Sequence, residues 1–208
     1  MTTIILTPTH LYAERQVSRI AKNQHHQCTD CDGTNIVLSS KTREDSKITI
    51  PSEEILYGGS PILAITSCGS KEAGDKYKNL ILQGHCPVKI IEDFRKVDKY
   101  DPVLSCRLFV VTEERAYLLL ISSIRVVRQA ISPKREMSFM GSGGYIGEAL
   151  LKVFPKIKPL QLMSTMIEHD SCSGGMVDVV NYRSKRKIIK TLELKDLPPP
   201  LKDLSVPR

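Results

Sequence analysis

Apolar, β-branched stretches come in close pairs along this chain, each bracketing a few turn-forming residues, and such pairing points to antiparallel hairpins. Residues 2–7 and 11–13 flank Pro8-Thr9-His10. Residues 107–112 and 116–122 flank Glu113-Glu-Arg115, and residues 176–182 and 187–194 flank the basic turn Arg183-Ser-Lys-Arg186. Further strand-like runs lie at residues 47–50 and 62–67. Helical spacing follows Gly69, where Ala73, Tyr77, Leu80 and Ile81 share a face, and returns after Gly141-Ser-Gly-Gly144, where Ile146, Ala149, Leu150 and Val153 do, until Pro155. A further helix is expected over residues 159–169, with Leu162, Met163, Met166 and Ile167 inward. Strands in runs with helices grouped between them fit an α+β protein, two antiparallel sheets covered by helices, better than an alternating βαβ order.

The 208 residues suit one domain, expected over residues 1–196. Within it, residues 20–46 turn polar (Asn23-Gln-His-His-Gln27, Asp30-Cys-Asp-Gly33, Lys41-Thr-Arg-Glu-Asp45) and read as an insertion, a long loop or partly ordered excursion. From Leu197-Pro-Pro-Pro200 onward a proline-rich tail, residues 197–208, reads as extended or disordered. Hydrophobic residues at 41% and charged residues at 25% are values of soluble globular chains. With no basic, apolar leader and no run long enough to span a bilayer, a cytoplasmic protein is expected, its six cysteines reduced.

A net charge of +7, partly clustered at residues 183–187 and at Lys134-Arg135, permits contact with nucleic acid, but no aromatic residues suited to base stacking are interleaved with it. Within the insertion, Cys28-Thr-Asp-Cys31 beside His25-His26 offers a single C-x₂-C pair. A zinc site needs four ligands, and imidazoles so close to Cys28 are awkwardly placed to supply them.

Four separated motifs carry more chemistry. Met1-Thr2-Thr3-Ile4 would expose Thr2 once Met1 is removed. Tyr12-Ala-Glu-Arg-Gln-Val-Ser18 carries Glu14 and Ser18 close together in sequence. Gly141-Ser-Gly-Gly144 stands at a strand-to-helix junction, and Asp170-Ser-Cys-Ser-Gly-Gly175 precedes an apolar strand. Together, and in this order, they resemble the proteasome β-subunits and the related bacterial peptidase ring, a family of N-terminal-nucleophile hydrolases. The resemblance implies a four-layer αββα sandwich and a threonine peptidase that hydrolyses peptide bonds through an acyl ester on Thr2.

By that resemblance Asp170, Ser173 and Ser142 orient Thr2, Glu14 holds a lysine, Ser18 touches substrate, and the backbone N–H of Gly69 stabilises an oxyanion. Lys47 is the natural candidate for the lysine and Lys41 the alternative. A peptide or unfolded protein would be the substrate, a homo-oligomeric ring the assembly and an unfoldase ATPase a partner, with no cofactor implied. Glu14 stands where the family has Asp, and the first hairpin is short, which leaves a catalytically inactive assembly or binding scaffold as the alternative.

The chemistry explains the grouping. A free α-amine, with a pKa of roughly 7.7–8.0, can take the proton of a threonine hydroxyl, and only the first residue of a chain offers both groups. A neighbouring Lys⁺ favours the neutral amine. Backbone N–H donors offset the charge of the tetrahedral intermediate by about 3–4 kcal/mol.

Overall fold

A computed structural model describes residues 2–27, 34–85, 106–122, 126–131, 137–170 and 173–201, with only the course of the chain given between 17 and 44. Its central strands alternate their side chains between two faces, and both faces are buried. In β1 (Thr3–Leu6) and β2 (His10–Glu14), Ile4, Leu6, Leu11 and Ala13 point one way while Ile5 and Tyr12 point the other. In β8 (Cys106–Thr112), Phe109 and Val111 meet the first set, and Leu108 and Val110 turn away from it.

Two antiparallel sheets follow from this alternation. The first has the order β11-β1-β2-β12-β13, with β11 Ser138–Gly141, β12 Val177–Asn181 and β13 Ile189–Leu192. The second runs β10-β9-β8-β7-β5, with β10 Val126–Ile131, β9 Ala116–Ile121, β7 Ser60–Gly69 and β5 Ile48–Thr49; the short β6 (Leu56–Tyr57) pairs with β7. Ile4, Leu11 and Val180 of the first sheet pack on Ala64, Phe109 and Val111 of the second.

Helices cover the outer faces. Helix α1 (Lys71–Leu82) starts at Ser70, whose side chain accepts the Ala73 N–H, and buries Ala73, Tyr77 and Ile81 on Ile65, Leu108 and Leu119. Helices α2 (Gly143–Val153) and α3 (Pro159–His169) cover the other sheet, with Leu150, Leu162, Met163 and Met166 against Ile5, Tyr12 and Val177. The layers are therefore α, β, β, α, as expected. Among the described residues no helix is long and apolar enough to cross a membrane.

Two local expectations need correction, and a third is narrowed. The stretch expected as a loop at 20–46 is largely β-paired: β3 (Gln16–Gln27) and β4 (Thr34–Glu44) form an antiparallel ribbon with irregular register. Its sequence is mostly polar, with no run of alternating apolar residues, so the residue pattern carried no strand signal. Cys28 and Cys31 lie outside the described residues. In α2 the inward face holds Gly143, Gly147 and Leu150, while Ala149 and Val153 are exposed. A Cβ at Gly147 would stand 2.8 Å from both Phe139 Cδ1 and Met166 Cε, so the helix lies closer to its neighbours than an apolar side chain would allow. The tail is extended as far as described and is not loose: Leu197 is buried, and the Leu201 N–H donates to Thr165 Oγ1 of α3 at 3.0 Å.

Candidate functional site

Around the first residues of β1, two clusters of polar side chains meet. Glu14 ends β2, opposite Val177 of β12, and Lys47 stands one residue before Ile48, which pairs with Thr66 of β7. The two sheets thereby bring a carboxylate and an ammonium to the same place. Lys47 Nζ donates to Glu14 Oε1 at 2.5 Å, to the Gln16 carbonyl at 2.7 Å and to Thr2 Oγ1 at 3.1 Å. An ammonium has three protons, and all three are used. Glu14 is equally occupied, since its Oε1 also accepts the Thr3 N–H at 3.2 Å and its Oε2 the Gln16 N–H at 2.6 Å.

The Glu14 side chain is fully buried and that of Lys47 is 11% exposed. Burial raises the Glu14 pKa and lowers that of Lys47, because each charge has left water; the opposite charge and the shared hydrogen bond pull both back. Nearby Cys68 is buried, and burial pushes its thiol up to about 11, so it stays protonated at neutral pH and offers no competing nucleophile.

The second cluster is built on Asp170, the C-cap residue of α3. Its Oδ2 accepts Ser142 Oγ at 2.5 Å and Ser173 Oγ at 2.6 Å. A carboxylate at a helix C-terminus opposes the helix dipole, and these two hydroxyl donors offset that. Ser142 lies between the end of β11 and the start of α2, with no side-chain cap bond, so its hydroxyl is free for Asp170. Ser173 Oγ is 2.6 Å from Thr3 Oγ1.

Glycines let these segments close in. Gly141 has φ +94°, and a Cβ there would overlap the Thr2 carbonyl oxygen. A Cβ at Gly143 would overlap Thr3 Oγ1, and one at Gly174 would overlap Gln16 Oε1.

Of the residues singled out in the sequence, Thr2, Glu14 and Lys47 fall in the first cluster, and Ser142, Asp170 and Ser173 in the second. Lys47 is the lysine that reaches Thr2, whereas Lys41 lies on β4 opposite Ser18 of β3, and the side chains of both are outside the described residues. Gly69 ends β7 with φ +97°, immediately before the α1 cap, and shares no hydrogen bond with either cluster among the described residues. Ser173 meets the start of β1 at the Thr3 hydroxyl, one residue beyond the Thr2 that the sequence reading has it orient. Sequence reasoning missed Thr3 and Gln16. Thr3 was visible as a second hydroxyl beside Thr2, while Gln16 acts through backbone groups that no residue type announces.

No family model and no curated protein matches the sequence. Among solved structures, the fold is similar to that of an Anbu (Gly-1) mutant from Hyphomicrobium sp. strain MC1, with a TM-score of 0.52 at 13% identity, over 93% of this chain and 87% of that one. The likeness is one of fold: the chain shares with that protein a sandwich of two antiparallel sheets covered by helices.

Proposed function

We propose that this chain is a threonine peptidase of the proteasome-like kind, acting through Thr2 after removal of Met1. The observation that carries this reading is the Lys47 ammonium held between Glu14 and the Thr2 hydroxyl. In the proposed reaction the Thr2 α-amine takes the hydroxyl proton as Oγ1 attacks the peptide carbonyl carbon, and the carbonyl π electrons move onto oxygen. Gly69 N–H would stabilise that oxyanion. The protonated amine gives its proton to the departing amine as the C–N bond breaks, leaving an ester on Thr2. Water then attacks the ester with the α-amine again as base, releasing the acid and restoring the hydroxyl.

Lys47⁺ beside Thr2 keeps the α-amine neutral and steadies the developing alkoxide, while the Asp170 cluster holds Ser142 and Ser173 against the start of β1. An extended peptide with Ser18 among its contacts is the proposed substrate, and a cytoplasmic homo-oligomeric ring fed by an unfoldase ATPase is the proposed setting. A second reading, an inactive scaffold of the same fold, is favoured by one observation: Thr2 is only 4% exposed.

Intact mass before and after treatment with an epoxyketone, which needs both the hydroxyl and the free amine of an N-terminal threonine, separates the two. The peptidase reading expects loss of the Met1 mass and a single adduct, absent from Thr2→Ala. A mass that keeps Met1 and gains nothing supports the scaffold.

A further inference from the structure

We infer that Thr3 is a positioning residue that fixes the Thr2 backbone to both carboxylates of the site, an inference that rests on the peptidase reading above. Ser173 has one hydroxyl proton, and it goes to Asp170 Oδ2 at 2.6 Å. The oxygen of Ser173 is therefore an acceptor in its 2.6 Å contact with Thr3, and Thr3 Oγ1 is the donor. Thr3 also gives its backbone N–H to Glu14 Oε1 at 3.2 Å. Both protons of Thr3 thus end on the charge of the site, one on Glu14 directly and one on Asp170 through Ser173.

The Thr3 N–H and the Thr2 carbonyl belong to one planar peptide group. Glu14 holds one side of that plane, and Gly141, where a Cβ would overlap the carbonyl oxygen, closes on the other. With the plane fixed, so is the Cα of Thr2, from which both its amine and its hydroxyl hang. Thr3 is completely buried, so it acts on the reaction through Thr2 and not by touching substrate.

The test uses the full chain released from a cleavable N-terminal fusion, so that Thr2 is the first residue, and compares Thr3→Val with Thr3→Ser. Valine keeps the shape and removes the donor. For Thr3→Val the maximal rate of epoxyketone adduct formation is expected to fall about 10- to 100-fold, the scale of a small misplacement of a reacting group, with the half-saturating concentration almost unchanged. Thr3→Ser is expected to restore the rate.

Titration of the Thr2 amine with an acylating reagent reads positioning without turnover: in Thr3→Val its pKa should rise toward the ordinary value of about 7.7–8.0 as it moves away from Lys47⁺. Ser173→Ala should give the same rise, and the double variant no more than either alone.

Thr3→Val matching the native adduct rate and amine titration overturns the inference, as does a loss that Thr3→Ser does not recover. If the native chain forms no adduct, the peptidase reading fails while the amine titration still decides the role of Thr3. Should Thr3→Val not fold, an unaltered amine titration in Ser173→Ala overturns it.

Discussion

Glu14 and Lys47 set two opposite charges away from water, and a fully buried carboxylate and a nearly buried ammonium are stable only in each other's company. Replacing one partner leaves a buried charge unpaired. Glu14→Gln should therefore cost about 3–5 kcal/mol, measured by denaturant unfolding at pH 7. The same variant tests the acid–base reading. Adduct formation should be bell-shaped in pH, rising as the Thr2 amine loses its proton and falling as Lys47⁺ loses its own. Burial lowers the Lys47 pKa below 10.5, so the alkaline fall should begin earlier than an exposed lysine would allow. Glu14 opposes that lowering, and its loss in Glu14→Gln should move the fall to still lower pH. An alkaline limb that stays in place would detach Lys47 from the reaction. Gly141 offers a steric counterpart: Gly141→Ala forces a Cβ into the Thr2 carbonyl oxygen at φ +94°, and should slow adduct formation while costing at least about 1–3 kcal/mol from backbone strain.

Among the elements, hairpins were the easiest to read, because local turn chemistry and β-branched runs decide them. The β1–β2, β8–β9 and β12–β13 pairs fall where residues 2–13, 107–122 and 176–194 predicted. Helix α3 was equally plain, with Pro159 at its first turn and Leu162, Met163 and Met166 buried. The β3–β4 ribbon was not legible, since its residues are mostly polar and show no apolar alternation; among the described residues its two strands form a sheet of their own. Helix α2 was found with Ile146 and Leu150 rightly placed toward the core but Ala149 and Val153 not, because the rule that apolar residues face inward gave glycine no weight. Its glycines are the contact. Gly147→Leu should overpack the seam with Phe139 and Met166 and cost about 1–3 kcal/mol, seen as a lower unfolding midpoint. A variant as stable as the native chain would mean that α2 can lift off the sheet freely.

On the scale of the whole molecule, the site exists only because two sheets are stacked. Thr2, Glu14 and Asp170 hang from the first sheet and its helices, whereas Lys47 is delivered by the second. The residue types were readable one motif at a time, yet their convergence was legible only through resemblance, as no local pattern places residue 47 against residue 2. What presses the sheets together is the core between them, and Phe109, with no exposed surface, is its largest fully buried side chain. Phe109→Ala should cost about 3–5 kcal/mol by leaving a cavity between the layers. The consequence for the site follows from where the cavity lies. Phe109 pairs across with Thr66, the strand neighbour of Ile48, so repacking there can draw Lys47 away from Thr2 even in molecules that stay folded. The rate of epoxyketone adduct formation per folded molecule should fall in Phe109→Ala and remain native in Leu162→Ala, which opens a cavity of similar kind beneath the helices on the other face. Equal rates per folded molecule in both variants would show that the stacking of the sheets sets only stability, and that Lys47 is held by its own three hydrogen bonds.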